Sequence, residues 1–460
     1  MKSLSIVFQA FCYLLVSTSG IRAERLESRK PNVVIFFTDD QGTLDANCYG
    51  SEDLHTPTMD KLAETGVRFT QAYGHTVCCP SRAMLMTGRY PQRGNVRAWT
   101  QANAKGEKGR NMFREEVTLA EVLGDAGYST GLFGKWHLGA DFEHGPTEQG
   151  FDEFFGLRGG FIDNYKHFAL HGSGFHDLYD GKKEVFAEGK YFPDLITERA
   201  LEFIGKSDGK PFFLYMAFNV PHYPEQADAK FDELYEDMAM PRRSYAKMIS
   251  TTDDRMGRIL NRLESEGLRE NTIVVFMSDN GHSVEDYRIK VNDHNSGLEK
   301  GVNYGANGGG GNTGKWKGAK ATFFEGGIRV PAIISYPAVL PGGVVRDQAI
   351  TAMDWMPTIL ELCDVERPEK VFDGKSLVEC IEADPEKALH QVMHWEWRNA
   401  WAVREGDWKL MGLGEKVTFL GNLGDEEPEQ INYLSEEPGM AKRLEKLHRE
   451  WLKEVVPALE

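Results

Sequence analysis

The sequence predicts an α/β fold: a large mixed, mostly parallel sheet sandwiched by helices, with a smaller C-terminal α+β subdomain containing an antiparallel sheet and a terminal helix. Short, continuously apolar runs recur along the chain, as expected of strands buried on both faces. Segments with helix caps and helical spacing alternate with those runs, and the pattern changes near residue 370.

The first buried strand is Asn32–Thr38 (NVVIFFT), which stops abruptly at Asp39 and Asp40. Thr56 as N-cap, Pro57 at the first helical position and Gly66 at the exit predict a helix over 57–65. In the segment CCPSRAMLMTG, Pro80 falls in the first turn of a helix and Cys78 just before its N-terminus. Thr118 and Glu121 form a capping box that opens another helix, closed around Gly124 to Gly127, and a strand resumes over 129–133. A further strand covers 212–218 (FFLYMAF). Met248, Ile249, Met256, Ile259, Leu260 and Leu263 then mark a helix over 244–266, and 272–277 (TIVVFM) is a strand ending in Ser278, Asp279 and Asn280. A strand over 330–335 and a helix over 354–362 complete this region. Beyond it, 400–404 and 408–411 flank the turn residues Glu405, Gly406 and Asp407 and predict a hairpin. Met440, Leu444, Leu447, Trp451 and Val455 form the apolar stripe of the terminal helix. Tryptophans in this smaller region are expected in the core. No internal repeat is visible, and low complexity is confined to Gly308–Gly311, inside a polar stretch over 282–314 that reads equally as a flexible loop or a wall of a site.

The 460 residues carry 53 Lys and Arg against 70 Asp and Glu, a net charge of −17 that argues against broad capture of nucleic acid or anionic membrane. Any anionic substrate must meet a local positive pocket. Lys2, an apolar run over 4–16 and small residues at 17–20 predict a secretory signal peptide over 1–23 and an exported protein. No later run approaches the roughly 18 apolar residues of a membrane span. The domains read as 24–370, catalytic, and 371–460, the smaller subdomain. Cys12 leaves with the leader, so Cys48, Cys78, Cys79, Cys363 and Cys380 remain. An odd number leaves at least one outside any intramolecular disulfide, and Cys363 with Cys380 is a plausible bridge.

In open α/β sheets ligands bind beyond the carboxyl ends of the strands, where Asp39, Asp40, Asp279 and Asn280 fall. Three carboxylates and an amide oxygen form a hard donor set suited to Ca²⁺ or Mg²⁺. At a helix N-terminus beside Arg82, Cys78 is expected to favour a thiolate or another anionic centre, with a buried structural cysteine as the ordinary alternative, and Cys79 is equally eligible as the reactive thiol on these grounds. In GKWHLG, Lys135 and His137 lie two residues apart beyond a strand, so on an extended segment their side chains share a side. Pro221 and Pro224 flank His222. Lys320 precedes Glu325, with Lys315 and Lys317 nearby on what reads as a solvated loop.

Here the chain resembles the formylglycine-dependent (type I) sulfatases, arylsulfatase-like members of the alkaline-phosphatase superfamily. Cys78, Pro80, Ser81, Arg82, Thr87 and Gly88 match their signature C-x-P-S-R-x-x-x-x-T-G in full, and PNVVIFFTDDQG, GLFGKWHLG, PHYP, SDNG and AKATFFEGGIRVP follow in the family's order. The resemblance implies that a formylglycine-generating enzyme oxidises Cys78 to formylglycine, Cys79 occupying the variable position. It implies that Asp39, Asp40, Asp279 and Asn280, with modified Cys78, hold a divalent cation, usually calcium. It gives catalytic roles to Arg82, Lys135, His137, His222 and Lys320: Lys135 and Lys320 bind nucleophile or sulfate, His137 acts on the formylglycine hydroxyl, and His222 contacts sulfate and protonates the leaving oxygen.

The implied cycle hydrates the aldehyde to a geminal diol, one hydroxyl of which attacks sulfur; the other later expels sulfate and restores the aldehyde. Phosphate or phosphonate monoester hydrolysis on the related fold is the nearest rival. Asn280 weighs against it, since related phosphatases place histidine there. A silent binder of sulfated glycan is the rival from another class. A sulfated carbohydrate is the leading substrate and an aryl sulfate the alternative, with His282, Asn164, Tyr165 and His167 as candidate substrate-site residues.

Overall fold

The computed structural model describes residues 30–100, 111–139, 141–302, 305–306, 308–383 and 388–456. The expected leader over 1–23 lies outside them. The main sheet is mixed and mostly parallel. Its strands are β1 (Asn32–Thr38), β2 (Val67–Tyr73), β3 (Ser129–Lys135), β4 (Glu153–Leu157), β5 (Tyr179–Asp180), β6 (Lys183–Glu184), β7 (Phe212–Ala217), β8 (Thr272–Ser278), β9 (Arg329–Ser335), β10 (Val344–Arg346) and β11 (Ile350–Thr351). The order is β10-β2-β9-β8-β1-β7-β3-β4-β5-β6, with β11 beside β2. β1 lies at the centre, parallel to β7 and β8, with Val33 opposite Phe213 and Ile273.

Burial on both faces explains the unbroken apolar run of β1. Val33, Ile35 and Phe37 face one core with α2 (Cys78–Thr87), α3 (Leu119–Asp125) and α7 (Trp355–Leu362). Val34 and Phe36 face the other, with α1 (Pro57–Glu64), α4 (Phe192–Gly205) and α5 (Arg242–Ser265). Successive side chains alternate across the sheet, so a strand covered on both sides has no polar face. The capping box of α3 forms as expected. The N-cap of α1 does not: the Thr56 hydroxyl turns away to donate to Asn47 Oδ1 at 2.6 Å, and the carboxylate of Asp253, on α5, accepts from the N–H groups of Thr58 and Met59 at 3.0 and 2.8 Å. Asp253→Ala is expected to cost about 1–2 kcal/mol, the usual penalty for a lost cap. A drop of a few degrees in Tm would register it; an unchanged Tm would mean that water replaces the carboxylate.

The smaller region pairs β12 (Val392–Trp397), β13 (Ala400–Glu405), β14 (Trp408–Leu413) and β15 (Lys416–Asn422) in one antiparallel sheet, covered by α9 (Pro438–Val455); α8 (Val378–Ala383) precedes it. Trp401, Val403 and Leu410 face α9, whereas Trp395, Ala402 and Met411 join the core of the main body. The buried stripe of α9 is Ala441, Leu444, His448, Trp451 and Val455, with Met440 and Leu447 only at its margin. His448 takes the place expected of Leu447 by stacking on Trp401 at 4.5 Å.

Charged side chains also cross between the two sheets. Lys409, on the same face of β14 as Met411, reaches Glu325 at 2.8 Å and Glu429 at 2.5 Å, all three buried. Glu325, at the start of α6 (Glu325–Ile328), also accepts from Tyr73 and Arg329. The expected Cys363–Cys380 bridge is absent, and no disulfide joins the described cysteines. Cys363 ends α7 against Tyr128, while Cys380 lies within α8.

Candidate active site

The topology brings the chemistry to one edge of the main sheet. β1, β3, β7 and β8 run parallel and end there, delivering Lys135 as the last residue of β3 and Asp39 and Asp40, His222, and Asp279 and Asn280 in the loops after β1, β7 and β8. β9 runs opposite, so the loop before it, with Lys320, starts from the same edge. β2 ends beside the start of β9 and leads into α2, whose first residue is Cys78. Close approach needs glycine at two points. A Cβ on Gly74 would lie 2.1 Å from the Asp279 carbonyl, and one on Gly134, at φ +126°, 1.9 Å from that of Ala217.

The motif residues of α2 each have a local task. Ser81 accepts from the His75 N–H at 2.7 Å and donates to the Asp279 carbonyl, tying α2 to the end of β8. Gly88 closes the helix in the left-handed conformation at φ 64°. Cys78 lines a cavity, whereas Cys79 turns into the core toward the Ala98 carbonyl, which separates the two thiols. The thiolate expected at the helix N-terminus does not form. Burial, and then Asp39, push the Cys78 thiol well above its ordinary range despite Lys135 and Lys320, and Sγ donates to Asp39 Oδ1 at 3.3 Å.

Beneath Cys78 the carboxylates alternate with cations. Lys135 Nζ lies 2.6 Å from Asp39 Oδ2, and Lys320 Nζ 2.8 Å from Asp40 Oδ2. Burial alone would raise Asp39, but Lys135, helped by His222 and Arg82, holds it far below the usual carboxylate range. Asp279 goes the other way, up to about 8, through burial and the charge of Asp39. Its Oδ1 accepts from the Asp40 N–H at 3.1 Å and its Oδ2 from Arg82 at 3.1 Å. Arg82 is wholly buried, also donates to the Lys135 carbonyl at 3.2 Å, and is no part of the cavity lining.

Among the described residues, Asp39, Asp40, Cys78 and His222 bring potential metal-ligand atoms within 4.8 Å of one another. The set expected from sequence shares the first three and has Asp279 and Asn280 in place of His222. Asn280 donates through Nδ2 to Asp40 Oδ1 at 2.7 Å, while its own Oδ1 is buried without a partner among the described residues. Such an orphaned acceptor beside clustered carboxylates suits a hard cation.

Lys135 and His137 do share the cavity, but not through extended backbone: His137 is left-handed at φ 57°. Its ring stacks on Trp99 at 6.0 Å, both ring nitrogens lack a partner among the described residues, and burial with Lys135 and Arg82 depresses its pKa well below the ordinary histidine value. His222 Nδ1 donates to the Tyr223 carbonyl at 2.6 Å, since a carbonyl only accepts, which turns Nε2 inward to 3.6 Å from Asp40. Burial and Lys320 lower its pKa. Above these groups lies a cavity of about 370 Å³.

The family profile "Sulfatase" matches residues 31–365. The chain belongs to the sulfatase family. The profile "N-sulphoglucosamine sulphohydrolase, C-terminal" matches 315–456, which takes in the smaller sheet. Arylsulfatase J of Mus musculus is 28% identical over 93% of this chain and 77% of its own. N-acetylgalactosamine-6-sulfatase of the same species is 32% identical, over 79% and 68%. The solved structure of Ps i-CgsB in complex with k-i-k-neocarrahexaose superposes with a TM-score of 0.79 at 26% identity, covering 92% of this chain and 93% of that one. The fold is that of the alkaline-phosphatase-like sulfatases.

This sulfatase differs from the sequence reading in the walls of its cavity. Lys135, His222 and Lys320, expected to bind sulfate, line it, but none of the four further substrate candidates, Asn164, Tyr165, His167 and His282, does. Asn164 accepts from Asn219 at 2.7 Å, Tyr165 packs on Tyr191, His167 meets the Lys190 carbonyl at 3.0 Å, and the carbonyl of His282 accepts from the Lys320 N–H. Trp99, Phe161, His171, Tyr223 and Glu285 line it instead. Only Tyr223 carried a signal, its place beside His222 in the proline-flanked loop. From the stretch over 282–314, Glu285 lines the cavity, while Ile289 and Ala306 pack with Phe161, Leu170 and Tyr223. Lys317, taken for a solvated side chain, donates to the Glu429 carbonyl at 3.2 Å. Among the described residues no helix is long and apolar enough to cross a membrane.

Proposed function

We propose that this sulfatase is an exported enzyme that removes sulfate from a sulfated carbohydrate, using formylglycine at position 78 and a calcium ion. The observation that carries the reading is the placement of Cys78 at the floor of a cavity into which Lys135, His137, His222 and Lys320 all project. The glycan-bound relative Ps i-CgsB supports a carbohydrate, and the aromatic walls suit a sugar ring better than a bare anion.

Asp39, Asp40, Asp279 and Asn280 would hold the cation, whose chemistry is to draw charge from the nucleophile and the sulfuryl oxygens. Formylglycine would supply a hydroxyl nucleophile where a protonated thiol now sits. Lys135 and Lys320 supply positive charge at the floor, fixed in advance by Asp39 and Asp40. Arg82 acts from behind, bracing Asp279 and the Lys135 carbonyl. His137, unpartnered at both nitrogens, is placed to take a proton from the nucleophile. His222, its tautomer set by the Tyr223 carbonyl, presents Nε2 to the leaving oxygen; binding of a sulfate beside it would favour the protonated form that can donate.

The test is release of sulfate from a panel of sulfated sugars, aryl sulfates and phosphate monoesters; faster turnover of phosphate would reverse the reading. Adding Ca²⁺ to chelated protein is expected to raise Tm, by about 3 kcal/mol of stabilisation at a hundredfold excess over Kd. If neither Ca²⁺ nor Mg²⁺ moves Tm, the carboxylates serve only their lysines.

A further inference from the structure

The floor of the cavity is cationic, yet one carboxylate stands on its wall. Glu285 Oε2 lies 3.3 Å from Lys320 Nζ, and its side chain is half exposed, at 50%, where Asp39 and Asp40 below are buried. Burial opposes its charge, but Lys320 and then His222 hold its pKa down at about 2, so it is ionised. Ser283 Oγ donates to the same carboxylate at 3.0 Å and accepts from the Glu285 N–H at 3.1 Å, which fixes the turn that carries it. Phe161 shares the wall, stacked on His222 at 4.8 Å and packed on Tyr223 at 4.9 Å.

A carboxylate only accepts hydrogen bonds. Beside a site built for an anion it contributes nothing to sulfate binding and repels further negative charge. It is half exposed and lines the cavity, whereas Asp40, on the other side of Lys320, is buried. Resting on the carbohydrate reading above, we propose that Glu285 is a specificity-determining residue: it accepts a hydroxyl of the sugar ring bearing the scissile sulfate and excludes rings with a second sulfate or carboxylate beside it. The substrate class is then a ring with one sulfate and a free neighbouring hydroxyl.

The experiment compares a monosulfated hexose, the same hexose with a second sulfate on the adjacent carbon, and an aryl sulfate, in wild type and Glu285→Gln. Wild type is expected to favour the monosulfated sugar, and Glu285→Gln to shrink that preference about tenfold, since a like charge facing the wrong substrate has been removed. A merely structural role, in which Glu285 orients Lys320, would slow both sugars alike, and an unchanged ratio overturns the proposal. So does a wild type that prefers the disulfated sugar. Turnover of the aryl sulfate with neither sugar hydrolysed would instead sink the carbohydrate reading, and this inference with it. Calorimetric binding of the two sugars to Cys78→Ala, with and without Glu285→Gln, gives the same ratio without turnover; equal ratios there also overturn the assignment.

Discussion

Cys78→Ala is expected to lower sulfate-ester turnover by roughly five orders of magnitude, the scale on which deletion of a covalent nucleophile acts. The fold should survive. Among the described residues the thiol donates to Asp39 Oδ1, and it lies at the first turn of α2, where Ala is tolerated. Tm is expected to fall by no more than the cost of a small cavity, about 1 kcal/mol. Turnover within tenfold of wild type would remove position 78 from the mechanism. Mass spectrometry of the peptide spanning residue 78, from a host that modifies such motifs, should show a loss of about 18 Da as thiol becomes aldehyde. The same loss at Cys79 would put the aldehyde outside the cavity, because that side chain is turned toward Ala98 in the folded chain, and would overturn the assignment to position 78. Position 78 is 1% exposed, so a modifying enzyme must reach it before the chain closes around it.

Lys320→Ala is expected to reduce kcat/KM by about 10²–10³, the range seen when one preorganised charge donor is removed. Its ammonium is buried between Asp40 and Glu285, and burial alone would discharge it; Asp40 instead keeps its pKa well above the ordinary lysine value. Removing it leaves Asp40 without its lysine as well as taking a cation from the cavity, so Tm should fall too. Lys317→Ala provides the contrast. Lys317 reaches the Glu429 carbonyl and the rings of Phe324 and Phe419, so its loss should loosen the join to the smaller sheet and leave kcat close to wild type. Equal catalytic losses in the two variants would deny Lys320 a special place.

Groups directly after buried strands were legible because an apolar run followed by Asp or Lys marks a strand end whatever the topology. Asp39, Asp40, Asp279 and Asn280 belong here, and Lys135 closes such a strand. Strand β2 (VRFTQAY) was not legible, since Arg68, Thr70 and Gln71 interrupt it, and Thr70 and Gln71 bond to Arg346 and Arg404, far along the chain. Nor was strand order: Val33 meets Phe213 and Ile273 through contacts that leave no local trace. The charge state of Cys78 was misread for the same reason, as Asp39 and the burial that reverse the helix effect come from elsewhere in the fold. Phe161, His171 and Glu285 sit on irregular segments with no periodicity to betray them.

The buried ions at the join between the two sheets bear on which stretches of chain can be exchanged between relatives. Glu325 belongs to the segment that carries Lys320, whereas Lys409 and Glu429 come from beyond residue 400. A chimera that takes the smaller sheet from another sulfatase with an apolar residue in place of Lys409 would leave Glu325 and Glu429 facing each other in the interior without the ammonium between them, a loss of about 3–5 kcal/mol; an apolar residue in place of Glu429 would take the acceptor from the Glu325 N–H. Grafting therefore has to treat these three positions as one inherited unit, with the seam placed before Glu325 and not at the change of pattern near 370.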